Sequence, residues 1–400
     1  MISVNSQKVK LLNQMAILRS IQVNDTISRQ QIARTTRLSN STISILVGEL
    51  IASGIVKELG EGESSGGRRS KLLGINEEGG TILAVDLGSS NITCAIVDLR
   101  ANIREKRTID APAEPNERLP AVIELLKTMR EVGRAKGMDN FLGVGVAVSG
   151  FVDPKNGIII SASNMGWKNI HLKKEIEYAT GLTTSIDNVA KAGALAEYYY
   201  GTGVGADHLL YIEAGSGIGA GFIVNGSLIT GLRNAAGEIG HLQMVQNGLV
   251  CKCGKIGCLE TIASGKAIER KAFERREQSA LLQSYYDRHG KITAEYVFDC
   301  AKKDDPAALS IIDEAIEFTA IATANILSMF NPELIVFGGG LANAGAFYLD
   351  RITHKLELSL IKDHNKGVQI KLSSLGRNSS ILGAATLVIE RLFRPIEAIF

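Results

Sequence analysis

Four times in this chain an apolar run ends in clustered glycines or small residues. TILAVDLGSS spans 81–90, FLGVGVAVSG 141–150, HLLYIEAGSGIGAG 208–221 and ELIVFGGGLA 333–342. Such a run reads as a buried strand delivered into a tight turn, because glycine adopts either sign of φ without steric cost. Helical stretches, such as 119–136 and 306–329, lie between the runs. Strands alternating with helices predict an α/β fold built as two linked lobes. Glycine turns behind strands also suit phosphate, since backbone N–H groups approach an anion with no Cβ in the way, although packing turns look the same.

The first 80 residues have a different texture. Residues 1–72 carry ten Lys/Arg against five Asp/Glu, a charge of +5 that leaves −3 for everything else. A basic head on a slightly acidic body predicts that the head alone meets a polyanion. A helix is expected from about Gln7 to Ile21, with Leu11, Leu12, Met15, Leu18 and Ile21 on one face. Ser28 reads as the N-cap of a short helix through Arg34, TTRLS as a turn, and Ser39 as the cap of a second helix to about Ser53. That is a helix-turn-helix pattern, with Ile32, Leu38, Ile43, Leu46 and Leu50 as the core beneath. Asn40, Ser41, Thr42 and Ser44 would then meet base edges and phosphates, with Ser28, Arg29, Arg37 and Ser39 beside them. GIVKELG and RRSKLLGI flank the loop EGESSGG as a β-wing that offers Arg68, Arg69 and Lys71 to DNA. The plain alternative is a three-helix domain with a solvated basic face.

Four hundred residues imply two or three domains, and 42 glycines against 7 prolines favour tight turns over disorder. No apolar run approaches the roughly 20 residues of a membrane helix, and the N-terminal stretch lacks a signal peptide's apolar core, so a cytoplasmic protein is expected. A reducing compartment turns clustered cysteines toward metal rather than disulfides.

NAAGEIGH at 234–241 followed by CKCGKIGCLE at 251–260 resembles the signature of the ROK family, which joins bacterial sugar kinases to sugar-responsive repressors. GVGVAVSGFVDPKNGIIISASNMGWKNI at 143–170 and SLGRNSSILGAATL at 374–387 are similar to further family segments. The likeness covers roughly residues 80–400, and the head matches the repressor branch (xylose, N-acetylglucosamine and glucose-regulon repressors). It implies an actin-like or sugar-kinase-like two-lobed fold behind a winged helix-turn-helix. The expected division is 1–79 for the head, 80–188 plus 380–400 for lobe I, and 189–379 for lobe II. Implied partners are operator DNA, a sugar effector, further copies in a homodimer or homotetramer and, as a rival controller, a transport-system protein.

Cys251, Cys253 and Cys258 supply three thiolates, and His241 is the natural fourth ligand. Three Cys and one His form a closed tetrahedral set suited to one structural zinc ion; the redox alternative needs C-x-x-C, which is absent. Gly254 and Gly257 let the loop curl. Metal held by one ring nitrogen of His241 leaves the other N–H to donate outward. The resemblance places that donor on a sugar hydroxyl together with Glu238 and Glu260, with Asn164 and Asn188 adding amide contacts. The bland alternative is that both acids cap helices. Cys94 and Cys300 read as core residues.

ROK kinases carry an Asn-Asp pair in a segment like END-A-N-A-A-A-L-G-E, where the Asp takes the proton of the attacking hydroxyl. Here the segment is IDNVAKAGALAE. Asn188 matches the family Asn, Val189 stands at the Asp position, and Lys191 at the next Asn. A one-residue shift would make Asp187 the base but separate it from the Asn. The first phosphate turn, D-x-G-G-T in kinases, reads Asp86-Leu87-Gly88-Ser89-Ser90. The expectation is a non-enzymatic sugar sensor with no catalytic residue; the alternative is an ATP-dependent sugar kinase with a regulatory head.

Overall fold

The structure is a computed structural model that describes residues 6–61, 70–359 and 367–392. The head opens with helix α1 (Ser6–Asn24) and a two-residue strand β1 (Ile27–Ser28). Helices α2 (Arg29–Thr36) and α3 (Asn40–Ala52) follow, joined by a turn whose Arg37 is left-handed at φ 58. Strands β2 (Val56–Glu61) and β3 (Lys71–Ile75) make the wing, and β3 lies between β1 and β2 in a small sheet. Sequence grammar explains both caps. Ser28 accepts from the Gln31 N–H while Gln31 reaches back to the Ser28 N–H, a reciprocal capping box; Ser39 accepts from the Thr42 N–H.

Ile32, Ile43, Leu46 and Leu50 are buried as expected, and Leu38 is partly so. The expected face of the first helix is corrected at one position. Leu12 is exposed, and the helix turns Ile17, Leu18 and Ile21 inward, because its last two turns contact the body. One apolar cluster runs from these residues to Tyr198, Leu209 and Val388, so head and body share a core.

The body contains two five-stranded sheets. In the first, β4 (Thr81–Leu87), β5 (Asn91–Asp98) and β6 (Ile103–Asp110) form an antiparallel meander. After α4 (Pro115–Ala135), β7 (Phe141–Val148) adds parallel to β4. A small antiparallel sheet of β8 (Phe151–Asp153), β9 (Ile158–Ala162) and β10 (Trp167–Ile170) precedes α5 (Leu172–Thr180). Strand β11 (Thr184–Asn188) then pairs with β7, completing the order β11-β7-β4-β5-β6.

Helix α6 (Val189–Tyr200) leads directly to the second sheet. Here β12 (Leu209–Ala214), β13 (Ile218–Val224) and β14 (Ser227–Leu228) are antiparallel neighbours. Short helices α7 (Glu260–Ala263), α8 (Gly265–Glu274), α9 (Ala280–His289) and α10 (Ala294–Ala301) lead to the long helix α11 (Pro306–Phe330). Strand β15 (Leu334–Gly338) returns parallel to β12; α12 (Ala346–Ser359), β16 (Gln369–Leu372) and α13 (Ser379–Leu392) finish the chain. The central strands are apolar on both faces because helices cover both, the condition that erases polar alternation. Cys94 and Cys300 are core residues. Among the described residues no helix is long and apolar enough to cross a membrane.

Ser28→Ala removes one half of the capping box and should destabilise α2 by about 1 kcal/mol. Hydrogen-exchange protection of α2 amides is expected to drop roughly fivefold while that of β12 is unchanged; equal protection of α2 in both proteins would refute the capping role.

Candidate functional site

A cleft of about 1090 Å³ lies where strands from both sheets end. Its floor is Gly88–Ser90 after β4, Ser149–Gly150 after β7, Asn188 at the end of β11, Gly215–Gly219 after β12 and Gly339–Gly340 after β15. Carboxyl ends of parallel strands are where open α/β sheets leave room for ligands.

On one wall His241, Cys251, Cys253 and Cys258 bring one ligand atom each to within 4.8 Å of one another. The Cys253 and Cys258 sulfurs are 3.8 Å apart, and the Cys251 sulfur is 3.6 Å from His241 Nδ1. Zinc bonds of about 2.3 Å to sulfur and 2.0–2.1 Å to nitrogen give tetrahedral edges of about 3.8 Å and 3.5 Å. The residues therefore fit a tetrahedral metal ion. Gly257 makes the convergence feasible: its φ is +71, and a Cβ there would fall 1.8 Å from the Val245 carbonyl oxygen. Cys253 is exposed while Cys251 and Cys258 are buried.

The orientation of His241 follows from that cluster. Nδ1 faces the thiols and lies 3.5 Å from Glu260 Oε1, whereas Nε2 faces outward, 3.9 Å from Glu238 Oε2. Burial raises the Glu238 carboxyl above the ordinary range, against the pull of His241 and Lys191. Glu260 begins α7, and its Oε2 lies 3.5 Å from the position a Cβ on Gly217 would take. All five sugar-site candidates, Asn164, Asn188, Glu238, His241 and Glu260, line the one cleft. The Asn188 amide already has two duties, accepting from the Ala190 N–H at 2.8 Å and donating to the Gly150 carbonyl at 2.9 Å. One N–H of that amide remains for a ligand.

Val189 lines the cleft beside Asn188, and Asp187 is not among the lining residues. Asp187 is buried and accepts from the Asn188 N–H and the Asn234 amide, both at 2.7 Å. Lys191 is fully buried and donates to the Asn234 carbonyl. Burial lowers its pKa, opposed by the charges of Asp187 and Glu238. Asn234, left-handed at φ 57, also donates to the Val152 carbonyl at 3.2 Å, and so ties the loop that carries Glu238 to the first sheet. A lysine amid alanines in AKAGALA was the available signal for this network.

Sequence reasoning also missed a pair of acids at the cleft floor. Burial pushes Asp86 up to about 6, against a hydrogen bond from Ser380 and the charge of Lys106. Burial pushes Glu213 up to about 7, against a Tyr211 hydrogen bond and helped by the charge of Asp86. The lone acid in the apolar strand LLYIEA was the sign.

In the head, Asn40, Ser41 and Ser44 are exposed at the start of α3, Thr42 is half-buried, and Arg37 is exposed in the turn. The Ser39 hydroxyl closes the cap and contacts Ser41 and Thr42. Ser28 is corrected as a DNA contact: it is buried with its hydroxyl in the capping box. Lys71 and Arg29 both pair with Glu58, at 2.5 and 3.2 Å, so neither ammonium nor guanidinium is uncommitted. Arg68 and Arg69 lie outside the described residues.

The ROK family pattern matches residues 82–391, and a winged helix-turn-helix DNA-binding pattern matches residues 12–57. A xylose repressor of Caldicellulosiruptor bescii is 30% identical over 392 residues, which cover 96% of this chain and 97% of that protein. A glucokinase of Halalkalibacterium halodurans is 34% identical over 313 residues, covering 77% of this chain and 95% of that enzyme. Among solved structures, a ROK family transcriptional regulator described as a homologue of the E. coli MLC protein superimposes with TM-score 0.80 at 26% identity, covering 96% of this chain and 97% of that one. A ROK glucokinase from Streptomyces griseus in complex with glucose and AMPPNP gives TM-score 0.70 at 30% identity, covering 77% and 99%.

The raised acids make stability depend on pH. A carboxyl whose pKa is higher folded than unfolded stabilises below its unfolded value, near 4.5 for Glu213, and that contribution is lost as pH rises through about 7. Glu213→Gln should therefore melt close to the wild type at pH 5 and a few degrees above it at pH 8. A pH-independent difference in thermal scans would contradict the burial of this charge.

Proposed function

Because the chain belongs to the ROK family, we propose that it is a sugar-responsive DNA-binding regulator, a repressor of carbohydrate-utilisation genes that binds its sugar without phosphorylating it. The observation that carries the reading is one juxtaposition. A capped helix-turn-helix head stands on a body whose cleft keeps Asn188, Glu238, His241 and Glu260, while Val189 borders that cleft beside Asn188. Full-length similarity to a protein named xylose repressor supports it and makes xylose the first sugar to try.

Carboxylates accept pairs of hydroxyl protons, so Glu238 and Glu260 suit a polyol, and Nε2 of His241 donates to a hydroxyl between them. His241, Cys251, Cys253 and Cys258 would hold a zinc ion, which would supply a cross-link fixing the loop and the imidazole tautomer. An aliphatic side chain at Val189 accepts no proton, so the attacking hydroxyl is not activated there. The proposed division is a head at 1–79, lobe I at 80–188 plus 380–400, and lobe II at 189–379. Sugar closes the lobes and shifts paired heads in a dimer or tetramer out of register with operator half-sites, which sit about one helical turn apart or a multiple of it. Release of DNA requires that sugar bind the DNA-free form better.

The kinase reading draws on the glucokinase similarity, and one pair of assays separates the two. The full chain on DNA from upstream of its own gene should give a specific gel shift, relieved at least tenfold by one sugar of a panel. The same protein with ATP and that panel should show no turnover. Robust turnover abolished by Asp187→Asn would replace this reading with the kinase.

Cys253→Ser should lose bound zinc and weaken sugar response about 10- to 100-fold, as loss of groups that orient a site usually does, while operator binding persists. Metal analysis and the gel shift read the two halves; full induction in a metal-free variant would refute the presenting role of the loop.

A further inference from the structure

Glu213 lies near the end of strand β12 at the cleft floor and is not one of the proposed sugar contacts. Its Oε2 accepts a 2.5 Å hydrogen bond from Tyr211, which is fully buried. Tyr211 is itself wedged between helix and strand: a Cβ on Gly193 or Gly338 would strike its ring or hydroxyl at 2.6 or 2.2 Å. The tyrosine cannot swing away, so the carboxyl is held in one orientation.

That orientation aims Oε1 at the glycine turns. A Cβ on Gly339 would lie 2.6 Å from this oxygen, and one on Gly215 would lie 3.6 Å from it and 3.7 Å from the Gly340 nitrogen. One carboxylate oxygen thus stands where the turn after β12 meets the turn after β15. Glycines let a backbone approach phosphates because nothing protrudes between; here an anion has been fixed into that gap from below. Asp86 adds a second acid at the turn after β4, close enough for its charge to act on Glu213. At that turn Arg118 donates to the Ser89 carbonyl at 3.2 Å and Lys266 to the Ser89 hydroxyl at 3.3 Å, so cations stand at the turn after β4, whereas Glu213 faces the turns after β12 and β15.

We propose that Glu213 is a specificity-determining residue whose carboxylate bars nucleotide polyphosphates from the glycine turns and leaves the cleft to a neutral sugar. This goes beyond the repressor reading, since a sugar sensor with open turns could still hold ATP as a second effector.

The test titrates full-length wild type, Glu213→Ser and Glu213→Gln with magnesium AMPPNP by calorimetry at pH 8, where Glu213 is ionised. Glutamine keeps the volume and the Tyr211 contact and removes only the charge. Wild type should give no binding up to roughly 1 mM nucleotide, and both variants should bind at least tenfold more tightly than that limit. Each preparation is first checked for a cooperative thermal unfolding transition, which establishes folding, and is then assayed for its operator gel shift. Micromolar nucleotide binding by wild type, or continued blindness of both folded variants, would overturn the proposal. A wild type that binds nucleotide yet shifts operator DNA defeats the Glu213 inference alone; one that never shifts operator DNA defeats the repressor reading alone.

Discussion

Four side-chain atoms drawn together within 4.8 Å organise one wall of the cleft. Three sulfurs and one imidazole nitrogen lie within 4.8 Å of one another, and the loop turns there through Gly257, whose left-handed conformation leaves no Cβ to collide with Val245. Convergence fixes which face of His241 looks inward. The outward nitrogen is thereby turned toward Glu238, and Glu260 follows Cys258 into the start of α7. The stretch from Glu238 to Glu260 that carries two acids and an imidazole has little regular secondary structure, and two isolated bridges, Gln243 with Cys258 and Val250 with Ile256, help the cluster to hold it.

A second, buried polar network centres on Asn234. Its amide reaches Asp187 and the Val152 carbonyl of the first sheet, its carbonyl receives Lys191, and Glu238 lies four residues further on. An ammonium buried this fully is held by surrounding acceptors and nearby carboxylates, and its removal would leave them uncompensated. The Asp187 carboxyl is thus absorbed into structure. Asp187 serves as an acceptor for backbone and amide, while Val189 takes the place beside the cleft.

Much of this was legible in the residues themselves. The four strand-to-glycine runs became β4, β7, β12 and β15 with their turns, because continuous apolar strands and Gly turns are local properties. Caps at Ser28 and Ser39 were readable for the same reason, as was the Cys/His cluster, whose spacing is a chemical signature. What stayed hidden was non-local. Leu12 faces solvent because the body takes only the later turns of α1, and Ser28 is buried because β1 pairs with β3. Pairing of Lys71 and Arg29 with Glu58 depends on strand register across the wing, which no periodicity reports. Lys191 and Glu213 were visible as odd letters in apolar segments, but the partner of Lys191 lies 43 residues away, and the turn that Glu213 Oε1 faces follows a distant strand.

The central claim is thermodynamic: sugar and operator DNA bind opposing states of one molecule. Calorimetric titration of the inducing sugar into the full chain, alone and saturated with its operator, measures that coupling directly. The account predicts affinity at least fivefold weaker in the presence of operator, the lower end of common coupling energies. Equal affinity in both titrations, or no sugar binding in either, would contradict it.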